Sequence, residues 1–172
     1  EFENPSLAFV RDLFVFACFT ALSFVDMKEL TTDEIVEVNG EKWIISKRHK
    51  TNVPFQVKLL DIPLLIIERY KHLSENKLVF GEINYWTMCK QLKKVIKECG
   101  IEKQISYHCA RHTFGTLALT KGMPIESVSR VLGHTNIVTT QIYAKITTQK
   151  LDNDLTMLGN KLNKAFNDVS IV

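Results

Sequence analysis

The chain has 172 residues, 45% of them hydrophobic and 24% charged, with a mean hydropathy of −0.02. These proportions exclude a disordered, collagen-like or disulfide-scaffold protein, and the length suffices for one domain with its own core. Charge is unevenly spread: 2 basic residues stand against 9 acidic in 1–41, 18 against 7 in 42–150, and 2 against 3 in 151–172. A basic middle fits a surface that tracks phosphates, and equally a solvated lysine-rich exterior. The most apolar stretch, 13–25, is broken by Thr20 and Ser23 and falls short of the roughly 18 apolar residues a membrane helix needs, so it reads as a buried helix. No secretory n-region and h-region opens the chain, and Cys18, Cys89, Cys99 and Cys109 form no C-x-x-C pair. Free thiols in a reducing cytoplasm are the expectation.

In chain order, Leu7, Val10, Leu13, Phe14, Ala17 and Cys18 recur at threes and fours and predict a helix that follows Pro5 and runs to about Ala21. A short helical turn over 24–30 precedes 35–38 and 43–46, which the Asn39-Gly40 turn joins as a hairpin. A polar tip carrying Lys47, Arg48, His49 and Lys50 leads to a third strand over 53–59. From Asp61 the period changes to helical. A helix over 62–72 is followed by one over 84–99, with Tyr85, Trp86, Cys89, Leu92, Ile96 and Cys99 on one stripe and Lys90, Lys94 and Lys97 on another. The lysine stripe is read as facing water more readily than DNA, and Trp43 and Trp86 as core. Further helices are expected over 106–120, over 124–132 with Gly133 as its stop, from Asn136 through Tyr143, and over 147–168 with Leu151, Leu155, Leu158 and Leu162 in a stripe. The fold class is α+β, mainly helical with a small three-stranded antiparallel sheet, in one domain and without internal repeats.

The chemistry-bearing residues crowd between His108 and Tyr143. On a helix, His108 shares a face with Arg111 and with His112. The second pair invites comparison with the zinc motif H-E-x-x-H, but Cys109 stands where that motif has its general-base glutamate, and no third ligand follows. Arginine suits a phosphate clamp through its planar fork and permanent charge. A tyrosine becomes a covalent nucleophile once a base takes its proton. Arg111 with His108, His134 and Tyr143 therefore forms a phosphoryl-transfer set. His112 reads as structural, and Arg130 as a phosphate contact or a surface residue.

The H-x-x-R of His108 and Arg111, the Leu132-Gly133-His134 run, and Tyr143 within Thr139-Thr140-Gln141-Ile142-Tyr143 resemble the catalytic signature of the tyrosine recombinases, the phage integrase family. The segment from Thr20 to Asp26 resembles the family's T-G-L-R-x-x-E/D, and Arg48-His49-Lys50-Thr51 its lysine-bearing sheet segment. The resemblance covers about 5–145 and is strongest to integrases of Bacteroides-type mobile elements.

It implies that Tyr143 attacks a DNA phosphate to form a 3′-phosphotyrosine and release a 5′-hydroxyl, with no metal and no cofactor. Arg111 would clamp the phosphate, His134 bond to it, His108 help take the tyrosine proton, and Lys50 protonate the leaving oxygen. Asp26 matches the acidic residue that supports the arginines. Ser23 stands where the first catalytic arginine is expected, and Ala21 where glycine is usual. Arg48, expected on the same side of a strand as Lys50, is the candidate replacement, with Arg11 second.

The resemblance also implies double-stranded DNA as partner, a tetramer on DNA with a monomer in isolation, and an N-terminal core-binding domain outside this chain. The 147–168 helix would be exchanged between protomers. Competing readings are a type IB topoisomerase-like enzyme and a DNA-binding regulator with impaired catalysis.

Overall fold

The structure is a computed structural model, and it describes residues 2–74, 76–144 and 148–166. Helix α1 (Pro5–Thr20) is the axis of the core. Asn4 caps it by accepting the Ser6 N–H, and Pro5 fills the first turn, where a missing N–H costs nothing. Leu13, Phe16 and Ala17 are fully buried, and α3 (Asp61–Tyr70), α4 (Tyr85–Glu98) and α5 (His108–Thr120) pack around α1. Asp12, buried on α1, accepts from the Tyr70 hydroxyl at 2.7 Å, from Arg69 at 2.7 Å and from Arg11 at 2.8 Å, which ties α3 to the axis.

After the short α2 (Phe24–Lys28) comes a sheet of order β1-β2-β3, with β1 Ile35–Val38, β2 Glu41–Lys47 and β3 Pro54–Lys58, antiparallel throughout. Asn39 and Gly40 both have positive φ, as the tight hairpin turn requires. The register sets Ile44 opposite Ile35 and Val57, so the face bearing Ile44, Phe55 and Val57 is buried. The remaining helices are α6 (Ile125–Leu132), α7 (Val138–Gln141) and α8 (Thr148–Phe166). No described helix is long and apolar enough to cross a membrane.

Expectations about one helix face and one helix end are corrected. α4 buries Met88, Leu92 and Val95; of the expected stripe only Leu92 is buried, Cys89 and Ile96 are half-buried, Tyr85 and Cys99 are exposed, and Trp86 is 79% exposed instead of lying in the core. The helix carries apolar residues over about half its circumference, and packing against α1 selects one part of them. α7 ends at Gln141, so Tyr143 lies in the turn beyond it and not within a helix. On α8 the side chains of Leu151, Leu155, Leu158 and Leu162 are each about half exposed, so the leucine stripe is not buried within the chain.

Candidate active site

The site is built around the first turn of α5 and the carbonyl ends of two other helices. Helix C-termini leave carbonyls without intrahelical donors, and a cation there is favoured by the helix dipole. Arg111 uses both. Its Nη1 donates to the Ala21 carbonyl just past α1 at 2.9 Å, and its Nη2 donates to the Leu132 carbonyl at the end of α6. Arg48 adds a second guanidinium, donating from Nη2 to the Val131 carbonyl at 2.6 Å. Two arginines from distant segments therefore fix the end of α6, from which His134 follows.

Gly133 ends α6 in the left-handed conformation, at φ +62°. A Cβ there would lie 2.9 Å from Cγ and 3.0 Å from Nε of Arg48, so glycine is required by backbone and by space alike. Ala21 adopts the same conformation at φ +58°, the position where the family pattern has glycine. Ala21→Gly relieves a Cβ penalty of about 1–2 kcal/mol but removes a fully buried methyl worth about 0.8 kcal/mol, so a gain of no more than about 1 kcal/mol is expected; the urea midpoint at unchanged slope is the check.

The His108 and His112 rings meet edge-on at 4.5 Å, and His112 meets the Tyr143 ring at 5.4 Å. Tyr143 lies against Gly115, where a Cβ would come within 2.8 to 3.0 Å of the ring. Burial raises the Tyr143 phenol above its usual range, and the Arg111 charge opposes this. His134 places Nδ1 2.9 Å from the Thr140 hydroxyl, itself fully buried on α7. Burial, then Arg111 and Arg48, lower His134; burial, then His112 and Arg111, lower His108. Both shifts favour the neutral imidazole. Burial and the charge of Arg48 bring Arg111 down to about 10, which leaves it protonated.

Ser23 caps α2 and exchanges bonds with Asp26, its Oγ donating to Oδ2 at 2.8 Å. Asp26 also accepts from Arg48 Nη1 at 2.8 Å and from the His49 backbone N–H at 2.9 Å. Burial raises this carboxyl, but the His49 N–H and Arg48 outweigh it and leave it below the ordinary carboxylate range. Its contribution to stability is therefore present above about pH 4 and is lost as pH falls through the lowered value.

Arg48 is 5% exposed, with its guanidinium stacked 3.8 Å from the Phe55 ring and its Nε–H buried without a partner among the described residues. The expectation that Arg48 projects to the same side of a strand as Lys50 does not hold. β2 ends at Lys47, and residues 48–52 form a turn closed by the Asn52 N–H on the Arg48 carbonyl at 2.7 Å, so Arg48 points inward while Lys50 is exposed at the tip. Arg11, the second candidate, is paired with Asp12 at 2.7 Å and lies over the Phe2 ring.

A cleft of about 180 Å³ opens beside Ser23, His108 and Arg111, walled by Phe24, Tyr85 and Tyr107. Arg111, His108, His134 and Tyr143 thus come from α5 and the 133–144 segment, with Asp26, Ser23 and Arg48 behind them. Sequence reasoning read His112 as structural, and it packs between His108 and Tyr143; it gave Thr140 and Gly115 no role of their own. A glycine inside a helix costs about 1 kcal/mol against alanine, which marks Gly115 as a place of close approach. Thr140 sits in the same short run as Tyr143, and His112 one turn from His108, but which side chain each meets is decided by the fold.

Arg111, His108, His134 and Tyr143 thus set a cationic fork, two imidazoles and a phenol together, groups suited in kind to phosphoryl transfer. A model described as "Phage integrase family" matches residues 4–150, and the chain belongs to that family. It is 48% identical over 62 residues to the tyrosine recombinase XerD of Listeria monocytogenes, covering 36% of this chain and 21% of that protein. It is 30% identical over 129 residues to the tyrosine recombinase XerA of Saccharolobus solfataricus, covering 73% and 43%. Among solved structures, the XerH site-specific recombinase bound to a palindromic difH substrate in a post-cleavage complex superposes with a TM-score of 0.72 at 20% identity, covering 92% of this chain and 48% of that one. The Tn1549 transposon integrase in complex with a circular intermediate DNA gives 0.69 at 16% identity, covering 89% and 62%. The chain therefore has the tyrosine recombinase catalytic fold and spans less than half the length of the curated relatives it matches.

Proposed function

We propose that this chain is the catalytic domain of a site-specific DNA recombinase that integrates, excises or inverts a mobile element. The observation that carries the reading is the convergence of Arg111, His108, His134 and Tyr143, with Arg111 fixed to two helix ends. Tyr143 Oη attacks the scissile phosphorus, forming an O–P bond as the bond to the 5′-oxygen breaks. Neutral His108 accepts the tyrosine proton, and Lys50 gives a proton to the leaving 5′-oxygen. Arg111 has spent two of its five N–H donors on carbonyls and directs the others to the phosphate oxygens, where charge grows. The Thr140 hydroxyl donates to Nδ1 of His134, which leaves the Nε2 proton for the phosphate. Attack by the 5′-hydroxyl of a partner strand reverses these steps and seals the new junction.

Arg48 replaces in charge what Ser23 lacks. Its donors are taken by Asp26 and Val131, so it acts as a positioning residue that braces the His134 segment and adds positive field, and not as a second fork on the phosphate. DNA duplex is the partner. A tetramer of chains assembles around two sites, with the half-exposed leucines of α8 covered by a neighbouring protomer; the isolated domain is a monomer that binds duplex weakly and with steep salt dependence.

The test is covalent trapping. The protein is incubated with nicked duplexes from the DNA flanking its own gene, and a protein band of raised mass is sought in SDS. Its appearance supports strand transfer. Sequence-specific binding without such a band favours the second reading, a DNA-binding regulator disabled by Ser23.

A further inference from the structure

His49 takes no part in the cluster around Arg111, yet the fold fastens it at two points. Its backbone N–H donates to Oδ1 of Asp26 at 2.9 Å, and its imidazole Nε2 stands 3.2 Å from Oε2 of Glu29. Asp26 lies on α2 and Glu29 caps the end of the same helix three residues later, so both carboxylates meet the turn from one side of α2.

α2 is a fixed platform. Ser23 and Asp26 exchange capping bonds at its start, and the Glu29 N–H closes its last turn on the Val25 carbonyl at 3.0 Å. The turn it receives is closed as well, by the Arg48 N–H on the Val53 carbonyl at 2.8 Å and by the Asn52 N–H on the Arg48 carbonyl at 2.7 Å. Lys50, the residue after His49, is exposed at the tip, and among the described residues it enters no ion pair. An ammonium on a flexible four-carbon stem is aimed by the backbone that carries it. What holds His49 therefore decides where the Lys50 ammonium reaches.

We infer that Glu29 and His49 form a clasp that sets Lys50 within reach of the leaving 5′-oxygen, both acting as positioning residues for its protonation. The inference rests on the strand-transfer reading and on Lys50 as the proton donor. The two anchors differ in kind. Asp26 takes the Arg48 guanidinium and the His49 main chain, bonds that survive a change of side chain at 49, whereas Glu29 holds only the imidazole. The side chains of His49 and Glu29 are 59% and 49% exposed. An exposed pair of this kind shifts the turn between docked and free positions by up to about fivefold.

The test compares two leaving groups on the full chain. Nicked duplexes carry the scissile linkage either with its ordinary 5′-oxygen or with sulfur in that bridging position. On the sulfur-bridged phosphate, the Tyr143 O–P bond forms as the P–S bond breaks. The thiolate then keeps the electron pair and needs no proton donor, because a thiol ionises far more readily than an alcohol. Single-turnover trapping is read on both substrates at saturating duplex. Lys50→Ala sets the scale, at about 10²-fold slower or more on oxygen and at the parent's rate on sulfur. Glu29→Gln and His49→Ala should each be about three- to fivefold slower on oxygen and unchanged on sulfur, with urea midpoints at the parent's value. Glu29→Lys should slow oxygen cleavage likewise, and adding His49→Glu should restore it by rebuilding the pair with its partners exchanged.

Parent rates on oxygen in Glu29→Gln and His49→Ala overturn the inference. So does equal slowing on both substrates, which would place the effect on attack by Tyr143 or on the fold, and so does a Lys50→Ala chain that cleaves the oxygen substrate as fast as the parent. In each of these cases an adduct still forms and strand transfer stands. A parent that traps neither substrate removes strand transfer itself, and the clasp with it.

Discussion

Tyr143→Phe is expected to abolish the covalent protein–DNA band entirely while leaving the fold and non-covalent DNA affinity intact. The substitution removes one oxygen. The ring keeps its place against Gly115 and His112, contacts that involve ring carbons only. Stability should therefore stay within about 0.5 kcal/mol of the parent, the usual range for changes that disturb no packing. A band that persisted in Tyr143→Phe would exclude this residue as the nucleophile.

The rate of band formation should also carry the signature of His108. A depressed imidazole pKa means that the neutral, proton-accepting form predominates at pH 7 and is lost only below the ordinary value of 6.5. The rate is then expected to be level through neutrality and to fall as pH drops through the depressed value. Replacement of His108 by glutamine should remove that acid limb. An unchanged limb would assign it to another group.

Asp26→Ala should cost about 3–5 kcal/mol of stability, the range for breaking a buried ion pair and leaving one charge unpaired. Both side chains of the Asp26–Arg48 pair are about 6% exposed, so Arg48 cannot turn to water when its partner goes. Guanidinium-chloride unfolding measures the loss. The double variant Asp26→Ala, Arg48→Met removes both charges and should recover much of it, since an apolar side chain can lie on Phe55 where the guanidinium now stacks. Cleavage should not recover with it. With Arg48 gone, the Val131 carbonyl loses its donor and the site loses a positive charge, and trapping is expected to slow by about tenfold or more, below the 10²–10³ of a donor in direct contact. Wild-type trapping by a refolded double variant would restrict Arg48 to holding the fold.

Much of the architecture was legible because local chemistry and tertiary structure agree. Asn39-Gly40 demands a tight turn, Pro5 and Asn4 a helix start, and Gly133 a helix stop, and each occurs there. The spacing of His108, Arg111, His134 and Tyr143 in the sequence marked residues that the fold does bring to one end of α5. What failed were orientations. α4 has apolar residues on adjoining faces, and only contact with α1 decides that Met88 and Val95 go inward while Trp86 goes out. Alternation along β2 placed Arg48 beside Lys50, but alternation ends where the strand does, and attraction to Asp26 and the end of α6 turns the guanidinium inward. No sequence pattern states that Tyr143 needs the space left by Gly115.

The two carbonyls that hold Arg111 belong to residues 21 and 132, more than a hundred positions apart in the chain. On the strand-transfer reading proposed above, a half-folded chain able to cut DNA would be a hazard. Here a nascent or partly unfolded chain owns the tyrosine but has nothing to aim the arginine with, because the two helix ends meet only after the whole domain has closed. On that reading, completion of folding would serve as a safety catch on Tyr143.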